Sequence, residues 1–226
     1  KAGIVTREQV EELEAHKDDI DIEKATEIES VIHHDLMAEI KTYASQCPKA
    51  GGIIHLGATS MDALDNADAV RFLEALELTE KRLDDLLDAI SEKAEEYKNV
   101  PTMAFTHIQP AEITTIGYRL SQTIQDLLDD REQLVFVKKS IRGKGMKGAV
   151  GTAASYKELL SESGISSIEM ENMVMNELGI KAYDAATQIY SRKQDLRIIE
   201  ALSSIACTLH KFSLDFRILQ SPPIGE

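Results

Sequence analysis

The sequence predicts an all-α fold, an elongated helical bundle. Two observations carry the all-α prediction. Leu, Ile, Ala, Glu and Lys dominate the composition, with aromatics at 5% and no Trp, a helix-forming mixture. Apolar residues also recur at 3–4 spacing over three long stretches. Leu76, Leu83, Leu87, Ile90, Ala94 and Tyr97 follow intervals of 7, 4, 3, 4 and 3. Leu196, Ile199, Leu202, Ala206, Leu209, Phe212, Phe216 and Leu219 follow 3, 3, 4, 3, 3, 4 and 3.

Each element has its own signal. Thr6 with Gln9 forms a capping box for a helix ending near His16. Asp21 caps a second helix through about Cys47, broken by Pro48 and Gly51-Gly52. A third starts at Thr59 or Ser60 and runs to about Tyr97. Pro110 near a helix start predicts a fourth from about Ala111 to Ile141. Gly143, Gly145, Gly148 and Gly151 forbid regular helix there. Short helices over about 155–162 and 165–178 follow, then a last long one from about Ile189 to Gln220. Helices of about 30 residues span roughly 45 Å or more, and their seams resemble coiled-coil packing. Ser221 to Glu226 reads as the start of a loop.

A formal charge of −14 and a pI near 4.9 argue against a generic nucleic-acid binder. They leave room for a local cationic pocket that takes a small anion. Two cysteines, Cys47 and Cys207, read as reduced thiols. No apolar stretch approaches the ~20 residues of a membrane span and no signal-peptide pattern occurs, so a cytoplasmic location is expected.

Three polar patches are expected at helix mouths, where free backbone N–H groups and the helix dipole favour anions. The first is Thr106-His107-Ile108-Gln109-Pro110-Ala111, with an imidazole able to give or take a proton. The second is His55-Leu56-Gly57-Ala58-Thr59-Ser60, whose hydroxyls serve as caps, as carboxylate ligands, or as both. The third is Thr187-Gln188 with Tyr190-Ser191-Arg192-Lys193. There Gln188 can read an amide or purine edge and Arg192 can clamp an anion. His33-His34-Asp35 is expected inside the second helix. Nothing has metal-ligand spacing, so no metal is expected. The glycine-rich stretch lacks the Walker ending; Lys144 and Lys147 there are weak candidates for ligand contact.

Taken together, His33-His34-Asp35, His55 to Ser60, Thr106-His107 with Gln109-Pro110-Ala111, Lys147-Gly148-Ala149-Val150-Gly151-Thr152, and Gln188 with Tyr190 to Lys193 resemble the fumarase/aspartase superfamily. Within it they resemble the adenylosuccinate lyase family. The resemblance implies a lyase that cleaves a C–N bond by β-elimination, releasing fumarate from adenylosuccinate and from its imidazole-carboxamide analogue. It implies no cofactor, a cytoplasmic homotetramer and active sites built from several subunits. His107 would be the acid, with His34 supporting it or orienting substrate. His33, Asp35, His55, Thr59, Ser60, Thr106, Gln188 and Arg192 would bind substrate. A small helical N-terminal domain over 1–106 and a central bundle over 107–226 follow by the same analogy. The family's Ser base sits in a Gly-Ser-Ser loop followed by Met-Pro-x-Lys-x-Asn, and that pattern does not occur here. The chain is therefore expected to lack both that base and a phosphate-binding N-terminal segment, and to show no substantial activity alone. The alternatives are another superfamily lyase, such as an argininosuccinate lyase, or a non-catalytic helical oligomerisation scaffold.

Overall fold

The computed structural model describes residues 2–222 and 224–226; Lys1 and Pro223, the latter in the expected terminal loop, lie outside it. Contacts divide the chain into two compact units. Unit 1 holds residues 1–71 and 142–191, and unit 2 holds 72–141 and 192–226.

In unit 1, α1 (Arg7–His16) starts from the predicted Thr6 capping box. The expected single helix over 21–47 is two helices, α2 (Ile22–Ile32) and α3 (Asp35–Gln46). His33 breaks it by adopting a left-handed φ of 53°, where its N–H caps Glu29 at 2.8 Å. His34 then restarts the chain as the N-cap of α3. A single 3-10 turn (Gly51–Ile53) leads to α4 (Ser60–Glu96), whose first residues belong to this unit. After the glycine-rich loop come α6 (Ala154–Leu159) and α7 (Ser167–Glu177), the latter with a Ser166–Glu169 capping box. A short parallel pair joins β3 (Arg142–Gly143) to β4 (Lys181–Ala182). Leu36, Ala38, Cys47, Ala69, Leu160, Met175 and Ile180 are buried here. Burial pushes the Cys47 thiol pKa up.

Unit 2 contains the rest of α4, a β-hairpin, α5 (Ile116–Ser140) and α8 (Lys193–Leu219). Leu76, Leu83, Leu87 and Ile90 on the predicted α4 seam are buried, as are Leu120, Leu127 and Leu134 on α5. Gly117 lets α5 start directly against the end of α4: a Cβ there would run into the Ala94 carbonyl and the Lys98 backbone. Its N–H donates to the Tyr97 carbonyl at 3.1 Å. On α5, the buried Asp130 accepts from Ser204 Oγ at 2.5 Å and Thr208 Oγ1 at 2.7 Å, both on α8.

Two expectations fail in unit 2. Residues 109–115 are not helical: β1 (Pro101–Thr106) and β2 (Gln109–Thr115) form an antiparallel hairpin with an irregularity between Met103 and Phe105. Pro110 sits on a strand of this isolated two-stranded ribbon, where a missing N–H is tolerated. The buried face of α8 near its start is Gln194, Ile198 and Ala201. Leu196, Ile199 and Leu202 of the expected seam are instead exposed, at 51%, 63% and 41%. Phe212, Phe216 and Leu219 of the same seam do line a cleft with Leu120 and Thr123 of α5, so periodicity selects the wrong stripe only near the start of α8.

Candidate active site

Four expected residues meet around the start of α4, all within unit 1. His34 Nε2 lies 3.3 Å from Ser60 Oγ. Thr59 Oγ1 accepts from Gln188 Nε2 at 2.9 Å. The N-cap role of His34 sets its ring chemistry. Its Nδ1 accepts from the Met37 N–H at 3.3 Å, so in the neutral ring the proton sits on Nε2 and points to Ser60. Nδ1 is also 3.4 Å from Asp35 Oδ1. His34 is thus built as a donor toward the Ser60 hydroxyl. Asp35 opens α3 and accepts from its neighbour's N–H, Leu36, at 2.7 Å. His33 is exposed, and His55 is half-buried in the turns before α4.

Below this mouth lies a buried carboxylate, Asp62. Asp62 Oδ2 accepts from the Thr59 N–H at 3.1 Å, which is the cap of α4. It also accepts from Tyr156 Oη at 3.0 Å and the Gly148 N–H at 3.1 Å. Its Oδ1 accepts from Lys144 Nζ at 2.7 Å and the Lys147 N–H at 3.2 Å. Gly148 reaches this position through a left-handed φ of 71°. Burial pushes the Asp62 carboxyl up, but Lys144, the Thr59 N–H and the Tyr156 hydroxyl outweigh it and hold the pKa below the usual value. Burial and the Asp62 charge push the Tyr156 phenol far up, so it stays a donor.

Lys144, a weak candidate for ligand contact, is fully buried on Asp62 and the Gly148 carbonyl. Lys147 pairs with Glu171 at 2.7 Å. Nearby, the Tyr190 N–H donates to the buried Asp65 at 2.8 Å. The available sequence signal was a lysine flanked by glycines, opposite an Asp in a first helical turn. An apolar cleft of about 590 Å3 between α2 and α3 is lined by Ile20, Ile22, Ala25, Leu36 and Tyr43. Of the expected site residues only Asp35 lines it.

His107, Thr106 and Arg192 belong to unit 2. Thr106 ends β1 and pairs with Gln109. His107 and Ile108 form the two-residue turn, with φ of 51° and 59°, the signature of a type I′ hairpin. The expected helix mouth at His107 is therefore absent, and with it the anion site of free helical N–H groups. His107 instead stands exposed at a hairpin tip. Arg192 is the N-cap of α8, one residue before the helix, 3.8 Å from Asp195. No group of three potential metal ligands occurs among the described residues. No described helix is long and apolar enough to cross a membrane.

The sequence matches a lyase family model over residues 5–226. The chain belongs to that lyase family. It is 39% identical over 219 residues to an adenylosuccinate lyase of Schistosoma mansoni, covering 96% of this chain and 46% of that protein. It is 37% identical to an adenylosuccinate lyase of Saccharomyces cerevisiae, covering 96% and 45%. This lyase chain thus spans about half the length of the curated relatives it matches. A fumarate lyase from Mesorhizobium superposes with a TM-score of 0.87 at 20% identity, covering 99% of this chain and 52% of that one. A 3-carboxy-cis,cis-muconate lactonizing enzyme from Pseudomonas putida does so at 0.87 and 24% identity, covering 100% and 51%. These two likenesses establish the shared helical fold.

Proposed function

We propose that the protein carrying this sequence cleaves adenylosuccinate to AMP and fumarate by β-elimination, and the corresponding imidazole-carboxamide substrate in purine nucleotide biosynthesis. The observation that carries the reading is the match of nearly the whole chain to proteins named adenylosuccinate lyase. The cluster of His34, Thr59, Ser60 and Gln188 at one helix mouth supports it.

Removal of a proton beside a carboxylate produces an aci-carboxylate with added negative charge, which preorganised donors stabilise. Thr59 and Ser60 are those donors in this reading, with His34 Nε2–H behind Ser60. Gln188 gives up its bond to Thr59 as substrate binds. His107 donates a proton to the departing nitrogen. His33, Asp35, His55, Thr106 and Arg192 complete the substrate contacts. No residue of this sequence is assigned as the base.

In this reading the protein is a cytoplasmic homotetramer whose sites draw residues from several subunits; the exposed Leu196, Ile199 and Leu202 of α8 support the self-association. In this reading the family's domains divide near Thr106, as 1–106 and 107–226. The test is fumarate release by a full-length protein carrying this sequence, with adenylosuccinate and argininosuccinate offered separately. Turnover of adenylosuccinate alone supports the reading; turnover of argininosuccinate alone, or of neither, refutes it.

A further inference from the structure

The reaction scheme leaves Asp62, Lys144 and Tyr156 unused, yet all three are buried directly beneath the two hydroxyls that it does use. A carboxylate two residues from Ser60 is poorly placed for a protein that takes an anion there, because like charges repel. Lys144 Nζ, 2.7 Å away and itself fully buried, cancels that charge. The remaining lone pairs of Asp62 are filled by donors from three places: the Thr59 N–H before α4, the Lys147 and Gly148 N–H groups of the glycine-rich loop, and Tyr156 on α6. One carboxylate therefore fixes the Thr59 backbone against the loop. It also consumes the Thr59 N–H, so that residue offers a ligand only its hydroxyl.

We infer that Asp62 is a positioning residue. Held by Lys144 and Tyr156, it sets where the Thr59 and Ser60 hydroxyls meet a dicarboxylate, with its own charge cancelled by Lys144. The inference rests on the proposed function and names the part of the substrate concerned, the fumarate-forming end. The nucleotide end is not governed by it.

The test compares wild type, D62N and Y156F in the full-length protein, titrating fumarate and AMP separately by calorimetry alongside steady-state cleavage of adenylosuccinate. D62N leaves the Lys144 charge uncancelled, which favours any anion, and frees the Thr59 backbone, which acts on fumarate alone; fumarate binding is expected to weaken about tenfold relative to AMP binding, the scale of one well-placed hydrogen bond. KM for adenylosuccinate rises with it, and the acid limb of the pH profile stays in place. Y156F removes one donor and leaves the Lys144 pair, so a shift of about threefold in the same direction is expected. Equal weakening of fumarate and AMP indicates general loosening and overturns the role. An unchanged ratio of fumarate to AMP affinity in folded D62N does the same. If circular dichroism shows D62N unfolded, Y156F decides: selective loss of fumarate affinity supports the role, and wild-type affinity overturns it. Wild type that binds fumarate but leaves adenylosuccinate intact overturns the proposed function, while the two binding titrations still judge Asp62.

Discussion

His34 and His107 are held by opposite means. His34 caps α3, so its ring orientation and its neutral tautomer follow from one hydrogen bond to the Met37 N–H. His107 occupies a left-handed turn at the tip of a two-stranded hairpin, exposed to solvent. A group that only orients a ligand benefits from a fixed proton. A group that must donate a proton and then recover it benefits from access to water. Under the proposed function, the contrast is the one wanted between a positioning imidazole and an acid.

The comparison is most sharply tested by replacing each histidine in the full-length protein and measuring fumarate release. His107→Gln is expected to lower kcat about 10³-fold, within the range for loss of a general acid. His34→Gln keeps an N–H donor of similar reach and is expected to cost roughly tenfold, the scale of one misaligned hydrogen bond. Equal losses would erase the distinction.

A smaller effect tests the ground on which Ser60 stands. The depressed carboxyl of Asp62 contributes stability that is fully present above its unfolded pKa of about 3.9. That contribution is lost as pH falls through the lower folded value. Urea midpoints measured from about pH 6 down to about pH 3 should fall in wild type, and less steeply in Asp62→Asn. Parallel curves would show that Asp62 carries no such linkage.

The smallest effect concerns the hairpin. A β-branched residue is poorly suited to φ of 59°, and type I′ turns favour Gly at that position. Ile108→Gly is expected to raise stability by roughly 0.5 kcal/mol, the relieved backbone strain being partly offset by a freer unfolded chain. A lowered urea midpoint would mean that the Ile108 side chain makes contacts outweighing its strain.

Legibility in the sequence followed the physics of each signal. The Thr6 box, the α4 seam and the glycine-rich break rest on local chemistry, and the structure reproduces them. The break at His33 has no Gly or Pro to announce it, because a left-handed His costs less than the caps it enables. The hairpin was hidden because its turn is His-Ile rather than Asn-Gly, and because Pro110 imitated a helix start. At the site, the pairs His34–Ser60 and Thr59–Gln188 join residues singled out from sequence. Asp62 with Lys144 was not legible. A pairing across 82 positions leaves no periodic trace, and a buried lysine looks in sequence like any other.

Asp130 has a mechanical consequence for unit 2. Ser204 and Thr208 stand four residues apart on α8, so the same carboxylate grips two successive turns. Sliding α8 along its axis by one turn would bring either Glu200 or Phe212 into the vacated place. One direction sets a second carboxylate against the first; the other leaves a buried oxygen facing an aromatic ring. The contact therefore works as a detent with stops on both sides, and it fixes the register of two long helices whose apolar surfaces alone would let them slip.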